Sequence, residues 1–212
     1  MNLERDCQLF MSSLNVDLTI GKNHLIDDVP FKFTAPDFLY FFSLKDKFWT
    51  SASEQDKLTI SLAMTELYVS VLLHIYSSDY RFNEEVHHLE NTILYGDLLS
   101  GAFAEKLVAI NEAVLLKEWL EVLQAIHKDL VALSLEHQDI KAKKEVLLNH
   151  LLDYLIPQEE KEKFATQTKA LLLDHSASFY ESEIAAELPE YIKEAMKKPI
   201  LSSGDFLAFI GE

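Results

Sequence analysis

The chain has 212 residues, 49% of them hydrophobic and 25% charged, with a formal net charge of -16 and only five glycines and five prolines. A length of this kind suits one large helical domain, and so few helix breakers between long periodic segments favour helices over sheets. The negative charge and the scarcity of arginine weigh against a nucleic-acid partner, and the single cysteine, Cys7, excludes an internal disulfide and a cysteine-based zinc cage.

In chain order, residues 2–16 form a short helix with charged residues at its start, unlike a signal peptide. Residues 17–35, with Gly21, Asn23 and Pro30, read as loop. Pro36 opens a short apolar helix that reaches about Leu44, with Thr34 as its cap. Ser51 and Glu54 have the spacing of a capping box, which predicts a long helix over about 52–77. This helix is apolar on most sides and therefore central. Its longest apolar run, 69–76, is interrupted by Ser70 and His74, too short for a membrane span, so a cytoplasmic location is expected.

Two more helices follow, over about 84–109 and 112–137. On the second, Leu116, Trp119, Leu123, Ile126, Leu130 and Leu133 alternate spacings of three and four and make one apolar seam, suited to core packing or to a subunit contact. A helix over 141–156 stops near Pro157, which itself opens another to about Ala186. A short amphipathic piece from Pro189 and an apolar tail with Phe206, Leu207, Phe209 and Ile210 complete the chain, the tail reading as docked. The expectation is a single all-α domain over 1–212.

Local motifs give catalysis no support. The glycines form no phosphate-binding loop. His87, His88, Glu90, His127 and His137 suggest a metal only weakly, because no two histidines are four residues apart on one helix face. Asp27 and Asp28 read as a solvated turn and not as a magnesium site. The segment 91–103 is more distinctive. Gly96 and Gly101 each cost a helix about 1 kcal/mol relative to alanine. With Ser100, Ala102 and Ala104 they would allow close helix approach, and Asp97 among apolar neighbours reads either as partly buried or, with ordinary tight core packing, as exposed.

Leu94, Gly96, Asp97, Leu98, Leu99, Ala102 and Phe103 resemble the Gly-Asp helix of trans-polyprenyl diphosphate synthases. Upstream, where that family carries a histidine, an aspartate-rich motif and basic residues, this chain has His74, Ile75, Tyr76, Asp79 and a single Arg81. The first two aspartates are thus replaced, and no second aspartate-rich motif follows. The pattern is similar to component I of heptaprenyl or hexaprenyl diphosphate synthase, clearest over about 59–133.

The resemblance implies a helical bundle like a reduced isoprenoid synthase fold, a non-catalytic subunit that helps set product length, commonly for a menaquinone side chain, and a large catalytic partner. That partner would hold magnesium; this chain would bind no cofactor and contribute no catalytic residue. The resemblance further places the subunit contact on the Gly-Asp helix and its successor, making Leu116, Trp119, Leu123 and Ile126 interface candidates and letting Phe103 or Leu99 face the growing hydrocarbon. The alternative is a helical protein-protein adaptor unrelated to prenyl synthesis.

Overall fold

The computed structural model describes residues 48–78 and 86–155, together with scattered positions within 5–13 and 41–46. Of the described part, 88% is helical and none is in a strand, so the protein is all-α there. Four helices are complete: α1 (Glu54–Ser77), α2 (Val86–Ala109), α3 (Ala113–Leu135) and α4 (Ile140–Leu155). The readings of 17–35, of Asp79 and Arg81, and of everything from Pro157 onward lie outside the described residues.

The first long helix starts two residues later than the capping-box pattern predicts. Ser53, not Ser51, is the cap: its Oγ accepts a hydrogen bond from the Asp56 amide at 3.1 Å, and its hydroxyl donates to Asp56 Oδ2 at 2.6 Å. A serine followed by an acid three residues on occurs twice in succession here, and the second occurrence closes the first turn. The preceding helix also runs further than expected, with helical residues continuing past Leu44 to Lys45, Asp46 and Phe48.

Every residue of α1 from Ile60 to Leu73 is buried. A helix covered on all sides needs neighbours on all sides. Its most extensive contact is with α2, and it also meets α4. Phe41 packs edge-on against Tyr68, with ring centroids 6.1 Å apart, and Phe10 and Phe42 belong to the same core. By length and composition α1 could cross a membrane, but 83% of its most apolar window is buried inside the fold, as in a core helix.

Buried polar groups on α1 are accommodated locally or by α2. Ser61 and Thr65 donate to backbone carbonyls one turn back, at 2.8 and 2.9 Å. Glu66 is fully buried, and Lys106 of α2 places its ammonium 2.8 Å from Glu66 Oε1.

α2 and α3 end without glycine. Asn111 (φ 60°) and His137 (φ 55°) adopt the left-handed conformation. Around each, paired reverse bonds close the helix: the Glu112 amide donates to Leu107 O and the Asn111 amide to Val108 O, and the Gln138 amide donates to Leu133 O and the His137 amide to Ser134 O. Asp139 then starts α4 by accepting from the Ala142 amide at 2.9 Å.

Breaking the Glu66–Lys106 pair should cost far more than breaking a surface pair. Lys106→Met is expected to lower stability by roughly 2–3 kcal/mol, below the value for a wholly buried pair because the lysine keeps some contact with water. Lys117→Met, which removes an exposed pairing with Glu121 at 4.0 Å, is expected to cost less than about 0.5 kcal/mol. Urea unfolding of the two variants compares them directly, and equal losses would deny the buried pair its role.

Candidate functional site

The two stretches that carry the family resemblance lie on α1 and α2, and they touch. Gly96 is buried against His74: a Cβ at position 96 would stand 2.9 Å from His74 Nε2 and 3.1 Å from Cε1. Any side chain there would push the imidazole away. Ser70, one turn before His74, donates its hydroxyl to the Gly96 carbonyl at 2.7 Å. Glycine at 96 is therefore explained by the imidazole that occupies the space of its missing side chain.

His74 also joins the two helices to α3. Its Nε2 is 3.5 Å from Asp97 Oδ1, and its ring meets His127 of α3 edge-on with centroids 6.3 Å apart. Burial pushes the His74 pKa below 6.5; Asp97 opposes that shift and His127 adds to it. Burial thus favours the neutral ring.

Several expectations need correction. Gly101 does not mediate close helix approach, because nothing lies within 4 Å of where its Cβ would be. Asp97 is not partly buried; its side chain is 66% exposed. Within 91–103 the inner face is Thr92, Tyr95, Gly96, Leu99 and Phe103, whereas Leu94, Leu98 and Gly101 turn outward and Ala102 is intermediate. Leu99 and Phe103, at 0% and 1% exposure, pack in the chain's own core and leave no surface for a hydrocarbon chain.

The apolar seam of α3 is likewise internal. Trp119, Leu123, Ile126 and Leu130 are buried, and Leu116 packs partly buried against the same core. Trp119 has no exposed surface and stacks edge-on against Tyr154 of α4, with centroids 4.7 Å apart. These four interface candidates are thus occupied by intramolecular packing. Tyr154 donates its hydroxyl to Glu118, and burial with that bond pushes its pKa upward. His150 Nε2, 2.8 Å from Asp129 Oδ2, makes a second polar clasp between α3 and α4.

At the end of α1, Ile75 is 1% exposed in the core, and Tyr76 lies under the Lys144 ammonium at 5.5 Å from its centroid. Neither supplies a carboxylate oxygen where the family's first two aspartates would stand. Lys143 is buried and donates to Ser78 at 3.0 Å. Sequence reasoning missed this lysine, since nothing in the run of Lys141, Lys143 and Lys144 shows which of them is buried. Among the described residues no three His, Cys, Asp or Glu side chains could hold a metal ion; the side chains of His87, His88 and Glu90, like Asp27 and Asp28, lie outside them. Compared with protein-family models, curated proteins and solved structures, the chain matches none.

Two measurements test this junction. Gly101→Ala fills open space on a helix and should raise stability by about 0.5–1 kcal/mol, whereas Gly96→Ala should gain nothing or lose, because its methyl displaces His74. Thermal unfolding of the pair distinguishes them.

The second concerns pH. Because the folded-state pKa of His74 is depressed, its contribution is intact above the unfolded value near 6.5. It is lost as pH falls through the folded value, since the unfolded chain takes up the proton first. Stability should therefore decline below about pH 6.5, and His74→Gln should flatten that decline; an unchanged pH profile would remove His74 as its source.

Proposed function

We propose that this chain is the small, non-catalytic subunit of a two-component polyprenyl diphosphate synthase. The observation that supports the reading most directly is the contact of Gly96 with His74. It joins the segment resembling the Gly-Asp helix to the segment resembling the end of the first aspartate-motif helix, although 22 positions separate the two residues. A chance likeness in two separate stretches carries no requirement that they pack together.

The second support is chemical. Ionisation of an allylic diphosphate needs metal ions to neutralise the departing charge, and Ile75 and Tyr76 offer no ligand for them. A chain with this helix pair but without those carboxylates fits a partner's complement better than an autonomous synthase. In this proposal the catalytic subunit carries both aspartate-rich motifs, holds magnesium, and condenses isopentenyl diphosphate onto the allylic substrate. This chain is required for that activity and helps set product length, in the cytoplasm.

The test is to co-purify this chain with the large synthase subunit of the same organism and to assay isopentenyl diphosphate incorporation by each alone and by the mixture. Activity in the mixture only is the expected result. A folded chain that neither binds the large subunit nor raises its activity would sink the proposal and leave the helical adaptor in its place.

A further inference from the structure

An ammonium removed from water needs an anion beside it. Among the described residues three lysines are more than nine-tenths buried: Lys45, Lys57 and Lys143, at 2%, 8% and 3% exposure. Two of them follow the rule. Lys45 Nζ is 2.5 Å from Asp46 Oδ2, and Lys57 Nζ is 3.2 Å from Asp46 Oδ1 and 2.8 Å from Glu54 Oε1. Lys143 is the exception: among the described residues no carboxylate pairs with it, and its partner is the Ser78 hydroxyl, 3.0 Å away.

The end of α1 does not stand in for the missing carboxylate. A helix C-terminus attracts cations through its unpaired carbonyls, but here they are occupied locally. Ser77 and Ser78 donate their hydroxyls to the carbonyls of His74 and Ile75 at 2.9 and 2.7 Å, and the Ser78 amide donates to His74 O at 3.1 Å. With its proton committed to Ile75, the Ser78 oxygen meets Lys143 as an acceptor.

α4 adds charge of the same sign. Lys141, Lys143 and Lys144 fall within its first five residues, and its first turn holds no acid. The start of a helix favours anions and opposes cations, so this placement is doubly unfavourable. Lys144 lies over the Tyr76 ring, and neither it nor Lys141 has a carboxylate partner among the described residues. A phosphate group has the charge and the several acceptor oxygens to accept from more than one ammonium. Lys143 sits below the surface beside the exposed Ser78, out of reach of a headgroup held in a bilayer, which selects a soluble ligand.

We infer that Lys143, with Lys144 and Ser78, binds the phosphate group of a soluble ligand between the end of α1 and the start of α4, without a metal ion. Lys143 donates to the phosphate while keeping its bond to Ser78, and Lys144 adds a second positive charge. The site goes beyond the function proposed above and does not rest on it.

The experiment titrates inorganic phosphate into the isotope-labelled full chain at constant ionic strength, balanced with chloride, and follows the amide resonances of Ser78 and of residues 140–144. Saturable movement of these resonances is the expected result. Lys143→Gln should weaken binding by about 10-fold or more, and Lys144→Gln, at a less buried position, by roughly 3-fold. Lys117→Gln, exposed on α3, should leave it unchanged.

Movement that stays linear in phosphate, or that chloride reproduces, would overturn the site. Saturable binding that Lys143→Gln and Lys144→Gln both leave intact would do the same. So would the absence of any response; if Asp79→Asn then brings one out, Asp79, which lies outside the described residues, is the counter-charge of Lys143.

Discussion

A helix buried on every side over nearly four turns must dispose of each polar group it carries within the protein, and α1 imposes that requirement on everything around it. Its serines and threonine do so cheaply by bonding back to the preceding turn or, at Ser70, across to Gly96. Glu66 is the demanding one, because a carboxylate removed from water needs a cation brought to it. Lys106 supplies that cation from α2. Ser70–Gly96 and Glu66–Lys106 lie at different heights along the same antiparallel contact, so together they fix how far α2 can slide along α1. The placement of His74 under Gly96 follows from that register.

The two glycines of α2 show how one residue type can answer opposite needs. Gly96 yields its side-chain volume to an imidazole, and the helix stays close to α1 as a result. Gly101 yields its volume to solvent. In the sequence the two are equivalent, five residues apart among small and apolar neighbours; only the phase of the inner face, set by Tyr95, Leu99, Phe103 and Leu107, separates them. The same phase turns Asp97 outward although its neighbours are apolar.

Helix identity was legible because the apolar seam of α3 is long, a serine-to-acid capping pattern opens the continuous apolar stretch of α1, and few glycines or prolines interrupt the helices. Boundaries were less so. Ser51 and Ser53 both begin a serine-to-acid pattern, and spacing cannot decide which amide is free to be capped. Asn111 and His137 stop their helices through left-handed backbone, in which asparagine and histidine are both over-represented; nothing in the pattern singles out His137. The seam of α3 was read correctly as one apolar face, but periodicity specifies only that a face is buried, and α4 with Tyr154 covers it from the same chain. The outward placement of Leu94, Leu98 and Val108 on α2 escaped notice because apolar residues on both its inner and outer sides leave little contrast to read. The chemistry of the His74 junction depends on residues 74, 96, 97 and 127 meeting in space, which no local motif contains.

Glu66 has a consequence during synthesis. The 24 residues of α1 leave the ribosome before α2, and their length and composition suit a bilayer as well as a protein core. An acid near the midpoint of such a segment raises the free energy of insertion by a few kcal/mol, enough to bias the nascent helix away from lipid. Once α2 follows, the carboxylate that discouraged insertion acquires Lys106 as its counter-ion. A neutral residue at 66 would remove the burial cost of the charge in the finished fold, and with it the feature that distinguishes this helix from a membrane anchor while it is still uncovered.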